Sequence, residues 1–205
     1  MRYPVPNLCP GTWWESELEV AKSRFITWLC HATDVADFES LLAEARRRHP
    51  GASHHCTAFI AGPPGEQADI GFSDDGEPGG TAGRPMYRVL EGSGLGQVGC
   101  VVIRYFGGTK LGTGGLARAY AQAVDQCLES LPRREVVERT PLQLKVDFAG
   151  EAQARAWLGE QRIPVEAANY AAEGVTLKVG WPIDTAMELS ELTSRLRGRL
   201  SLLDE

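Results

Sequence analysis

The stretch "VVIRYFGGTKLGTGGLARAY", Val101–Tyr120, runs from a continuous apolar segment through five glycines into a helix-forming segment and carries Arg104, Lys110 and Arg118 on the way. Its first part does not alternate apolar with polar residues. That pattern describes a strand covered on both faces rather than one with a wet side. Its last part continues into Leu116, Ala119, Tyr120, Ala123, Val124, Cys127, Leu128 and Leu131, a helical stripe that predicts an amphipathic helix over 115–131. A buried strand turning into a helix at a glycine-rich corner implies a layered mixed α and β protein.

Around this centre the same patterning predicts further elements. "SRFITWLCHA" (Ser23–Ala32) reads as a strand, and Thr33 or Asp34 caps a following helix whose apolar face is Val35, Phe38, Leu41, Leu42 and Ala45. "HHCTAFIAG" and "ADIGFSD" read as two strands joined by the turn "PPGEQ", and Met86–Leu90 as a short helical piece. At "LPRREVVERTP", Leu131–Pro141, proline and charge interrupt the patterning and predict a linker. The expected domains are therefore 1–135 and 136–205. In the second, "LQLKVDF" is a strand, Gly150–Glu160 a helix, "VEAANYAAEGVTLKVGW" a hairpin turning near Glu173–Gly174, and Asp184–Leu200 a helix. "LSLLDE" can supply a fourth strand and complete a ferredoxin-like order.

Composition narrows the function classes. The 205 residues are 43% hydrophobic and 23% charged, an ordinary globular balance. No apolar run reaches the ~18 residues of a membrane span, and the N-terminal stretch has no signal-peptide core, so the expected location is the cytoplasm. The five cysteines, Cys9, Cys30, Cys56, Cys100 and Cys127, are widely spaced without a C-x-x-C, which argues against a disulfide framework or structural zinc.

The formal net charge is -6, but its distribution is uneven. Between Glu66 and Glu77 there are five acids and no base, whereas between Arg84 and Arg118 five bases (Arg84, Arg88, Arg104, Lys110, Arg118) face Glu91 alone. A basic patch on an acidic protein is the result.

Known glycine chemistries fit the central stretch poorly. The match of Gly112–Ala117 to a dinucleotide fingerprint starts too far past the strand and lacks a ribose-binding carboxylate, and no phosphate-binding P-loop pattern occurs. Two readings stay open: a tight strand-to-helix turn, or an anion site at the helix N-terminus. Arg104, inside the buried strand, requires a partner. Asp74, Asp75 and Glu77 are the candidates for an internal brace, the alternative being an arginine that faces a ligand at the strand end. The three carboxylates lack the alternating oxygens of a calcium loop, and His54, His55 and Cys56 lack a further ligand, so no metal and no catalytic residue are assigned.

"SDDGEPGGTAGRP" followed by "VVIRYFGGTKLGTGGLARAY", with "KSRFI" (Lys22–Ile26) and "HPGASHHCTAF" (His49–Phe59) upstream, resembles the IMPACT/YigZ family across about residues 15–131. The resemblance implies an α+β protein: an N-terminal βαβ-type domain like a small-subunit ribosomal protein, domain IV of elongation factor G and the GHMP kinases, with a small ferredoxin-like C-terminal domain. It also implies a role near translation, without the partner-recognition domain of eukaryotic relatives. The expectation is a non-enzymatic, translation-associated regulator without a cofactor that binds RNA or the ribosome through Arg84, Arg104, Gly107, Gly108, Lys110, Gly114, Gly115 and Arg118, beside the acidic loop Asp74, Asp75 and Glu77. The alternatives are an enzyme acting on a small phosphorylated ligand at the helix N-terminus and a protein-interaction module.

Overall fold

The computed structural model describes residues 1–65 and 68–203, so Glu66 and Gln67 of the "PPGEQ" turn and the terminal Asp204 and Glu205 lie outside the described residues. The chain divides into two compact units, residues 3–136 and residues 137–205 with the first two residues. The architecture is mixed α and β. Among the described residues no helix is long and apolar enough to cross a membrane.

In chain order the larger unit contains β1 (Arg2–Pro6), β2 (Trp14–Val20), β3 (Ser23–His31), α1 (Val35–Arg48), β4 (His54–Ala61), β5 (Asp69–Ser73), α2 (Gly83–Gly92), β6 (Val98–Tyr105), α3 (Gly112–Glu129) and β7 (Arg133–Val137). Its main sheet has the order β2-β3-β6-β4-β5. Both β3 and β4 run antiparallel to β6, which lies between them, so α1 is a crossover joining two strands of the same direction. On one side of β6, Val101 and Ile103 pack with Trp28, Phe38 and Leu41; on the other, Val98, Cys100 and Val102 pack with Met86, Leu90, Tyr120 and Val124. Helices on both faces are the physical reason its apolar run does not alternate.

Local signals set α1: the Asp34 side chain accepts from the Asp37 N–H at the N-terminus, and Arg46, Arg47 and Arg48 occupy the last turn, where cations suit the macrodipole. The second helix is longer than the five residues its sequence indicates. It starts at Gly83 because its cap comes from elsewhere: Asp74 Oδ1 accepts from the N–H groups of Ala82 and Gly83 at 2.9 and 2.8 Å. The third helix begins at Gly112, three residues before the expected start, with no side-chain cap at Leu111. Residues 131–141, expected to form a linker, instead hold β7 and the first residues of the next strand, and β7 pairs with β1.

The smaller unit contains β8 (Arg139–Val146), α4 (Glu151–Glu160), β9 (Val165–Ala171), β10 (Gly174–Pro182), α5 (Ser190–Arg195) and β11 (Leu200–Leu203), with sheet order β11-β8-β10-β9. Leu144, Val146, Trp157, Leu158, Val175, Leu177, Val179 and Leu192 form its core. The helix expected over Asp184–Leu200 is a single short one. Trp181 Nε1 donates to the Thr185 carbonyl, which holds the preceding residues in turns, and Arg197 and Gly198 take positive φ (54° and 78°) and stop the helix.

Candidate nucleic-acid interface

The acidic loop and the basic run separate into two different environments. Asp74, Asp75 and Glu77 each face inward to the fold. Asp74 binds the N–H of Gly80 as well as those of Ala82 and Gly83. Burial opposes its charge, but these three donors outweigh that and hold its carboxyl below the ordinary value. Asp75, at φ 45°, accepts from the His55 N–H at 2.6 Å and lies 3.4 Å from Arg46. Through these bonds the loop is fastened to β4 and to the start of α2.

Glu77 and Arg104 form a buried ion pair with side chains 4% and 6% exposed. Arg104 Nη1 donates to Glu77 Oε1 at 2.5 Å, the Tyr120 hydroxyl donates to the same oxygen at 2.8 Å, and Arg104 Nη2 reaches Ser23 Oγ at 3.4 Å. Arg104 also lies 5.5 Å from the Phe25 ring centroid, a further contact for the cation. Cys56 Sγ lies 3.2 Å from the Tyr120 hydroxyl and 3.1 Å from the Asp74 carbonyl. Burial pushes the Cys56 thiol up to about 12, which removes its nucleophilic character at neutral pH. Burial, followed by the neighbouring Cys56 and Glu77, raises Tyr120 well above the ordinary tyrosine value. A neutral tyrosine donor and a paired arginine together satisfy Glu77, so this cluster braces β6, α3 and the acidic loop. Its geometry is that of a buried pair, not of an arginine at an open strand end.

Arg84, Arg88 and Arg118 are different. All three are exposed, and among the described residues none has a carboxylate partner. They line a groove of about 440 Å³ between α2 and α3, together with Gly80, Pro85, Val89, Ala117 and Ala121. Helical spacing produces this: Arg84 and Arg88 are one turn apart on α2, and Arg118 stands on the facing helix. Lys110, also exposed, precedes α3.

The glycines divide in the same way. At Gly107 a Cβ would run into the Lys22 carbonyl, and its N–H donates to Ser23 Oγ at 3.1 Å, so this position is glycine for packing. At Gly115 a Cβ would come within 3.1 Å of the Leu111 Cβ, a tight approach. Gly108 takes φ 85° with open space around it. Gly114 has ordinary helical backbone, and a Cβ there would meet only Arg118 Nη1 at 3.5 Å. Nothing inside the fold requires Gly114 to lack a side chain, and it adjoins an arginine of the groove.

The structure thus unites Arg84 and Arg118 in one groove, brings Gly114 beside them, and places Arg104 and Gly107 in the interior packing. Arg88, named in the basic run but not among the expected RNA contacts, joins Arg84 and Arg118 in the groove. One residue of the buried cluster, Tyr120, was not among the candidates. Tyr120 is visible as a hydroxyl within an otherwise apolar helical stripe.

Comparison with known proteins agrees with the motifs. Residues 21–128 match the family model of the Impact N-terminal domain. The chain is 41% identical to an IMPACT family member of Haemophilus influenzae over 185 residues, 90% of this chain and 89% of that protein. It is also 41% identical to IMPACT family member YigZ of Escherichia coli, over 90% of this chain and 91% of that one. A crystal structure of a hypothetical protein, 38% identical, covers 98% of this chain and 96% of its own with a TM-score of 0.66. The chain belongs to the IMPACT family.

Proposed function

We propose that this protein is a non-enzymatic, translation-associated regulator that binds RNA, on or near the ribosome, through the groove between α2 and α3 and the adjoining glycine-rich turn. Family membership supports a regulatory role in general. The observation that carries the RNA reading is the set of three guanidiniums, Arg84, Arg88 and Arg118, on one groove and without a carboxylate partner among the described residues, in a protein whose net charge is -6. Uncompensated cations gathered against the overall charge favour a polyanionic partner. Lys110, exposed two residues before α3, and the N–H groups at the start of α3, which no side chain caps, are further groups suited to an anion. Such a role is exercised in the cytoplasm.

The relation of the larger unit to ribosomal-protein and elongation-factor G domain IV folds belongs to this reading, as does a ferredoxin-like smaller unit with its boundary near residue 135. The strand order β11-β8-β10-β9 with the sequence β-α-β-β-α-β supports the second of these.

Titration with RNA at two salt concentrations tests the proposal. Affinity should fall as salt rises, with a slope of about -0.7 per neutralised phosphate. Lys110→Glu with Arg118→Glu should weaken binding and flatten that slope in a protein that still folds. A phosphorylated metabolite that raises the melting temperature, with no salt-dependent RNA binding, would favour a small-ligand enzyme instead.

A further inference from the structure

The α2–α3 groove is not basic throughout. Its cations stand on the rim, and its floor is Pro85 and Val89 from α2 and Ala117 and Ala121 from α3, all partly buried. In both helices the floor residues are one turn apart, so they form a continuous apolar strip. Two alanines where longer side chains would close the cleft leave about 440 Å³ open.

Resting on the RNA-binding reading above, we infer that this groove takes an unstacked base of single-stranded RNA, its face on the apolar floor and its flanking phosphates on Arg84, Arg88 and Arg118. A duplex presents phosphates outward and keeps its bases stacked inside. It would engage the arginines and leave the floor against water. A single strand can turn a base out of the stack and cover the floor, and guanidinium groups can hydrogen-bond its exposed edge or hold the adjacent phosphates. The floor spans about one turn of each helix. That suits one planar ring and is too short for the three or four anchors of a docked amphipathic helix. The three guanidiniums around it, without a carboxylate partner among the described residues, complement phosphates on both sides of that ring.

Three ligands of equal length separate base from backbone: an oligouridylate, the same sugar-phosphate strand lacking bases, and a blunt RNA duplex. The full-length wild-type protein should bind oligouridylate about tenfold more tightly than the abasic strand, the gain expected from covering roughly 55 Å² of apolar floor. The duplex should bind no better than the abasic strand. Ala117→Leu and Ala121→Leu, which fill the floor with a good helix former, should lower oligouridylate affinity to the abasic level and leave abasic binding and its salt slope unchanged. Thermal unfolding checks that both variants are folded. Equal affinity for oligouridylate and the abasic strand, both salt-dependent, would overturn this inference and leave the phosphate-binding proposal standing. Absence of salt-dependent binding by any strand would overturn both. An acidic amphipathic peptide that binds wild type and is lost in Ala121→Leu, while oligouridylate binding is unaffected, would assign the floor to a protein and overturn the inference.

Discussion

Two clusters of charge lie on either side of α3's first turns, and they have opposite fates. At Glu77 and Arg104 the charges are buried, paired and joined by Tyr120. At Arg84, Arg88 and Arg118 they are exposed and unpaired among the described residues. An isolated charge cannot be left in an apolar interior, so the Arg104 charge has its carboxylate within the fold, although its Nε has no hydrogen-bond partner among the described residues. Exposed cations carry no such demand, and three of them in one groove can await an external partner. Partnering, rather than residue type, separates the arginine that builds the fold from the arginines available to bind.

The largest effect should come from breaking the buried pair. Arg104→Ala strands the Glu77 carboxylate, and Glu77→Ala strands the guanidinium; each should lower unfolding free energy by about 3–5 kcal/mol in urea. A loss under about 0.5 kcal/mol, the size of an ordinary surface change, would erase the contrast between the clusters.

The next effect sharpens the comparison at the glycines. Gly107→Ala forces a Cβ against the Lys22 carbonyl and should cost about 1–3 kcal/mol, the range for overpacking. Gly114→Ala has space and ordinary helical backbone, so it should stabilise α3 by up to about 1 kcal/mol. If Gly114 is kept small for close approach of a ligand, the same variant should bind RNA less tightly while melting higher.

Asp74 should give a smaller, pH-dependent effect. Its carboxyl titrates lower in the folded chain than in the unfolded one, so the folded chain binds fewer protons at acid pH. The stability it contributes is complete above about pH 4 and is lost as pH falls through the folded value. Asp74→Ala should cost about 1 kcal/mol at neutral pH, as loss of a helix cap does, and should flatten the acid limb of a stability-versus-pH curve. Parallel acid limbs for wild type and variant would show that the cap is not formed.

Most of the framework is legible from the sequence because local patterning controls it. The both-faces burial of β6, the Asp34 cap of α1 and the apolar stripe of α3 each follow from residues close together in the chain. What escapes is the part controlled from a distance. The start of α2 depends on Asp74, eight residues upstream of Ala82, and no local signal marks Gly83 as helical. The shortness of α5 follows from the Trp181 indole bond to Thr185 and the left-handed Arg197. The site behaves likewise. A basic run is visible in one dimension, but only folding separates Arg104, turned inward to Glu77, from Arg84, Arg88 and Arg118, gathered across two helices. The alanine floor carries no sequence signal, since Ala117 and Ala121 read as ordinary helix formers.

The most direct test of the division between paired and unpaired charge is the salt dependence of single-stranded RNA binding, measured for wild type and for Arg84→Gln with Arg118→Gln. Unfolding of the same two proteins should be run in parallel. Stability should agree within about 0.5 kcal/mol, and the slope of log affinity against log salt should become shallower by about 1.4, two phosphate contacts at about 0.7 each. An unchanged slope and affinity in the folded double variant would contradict that division.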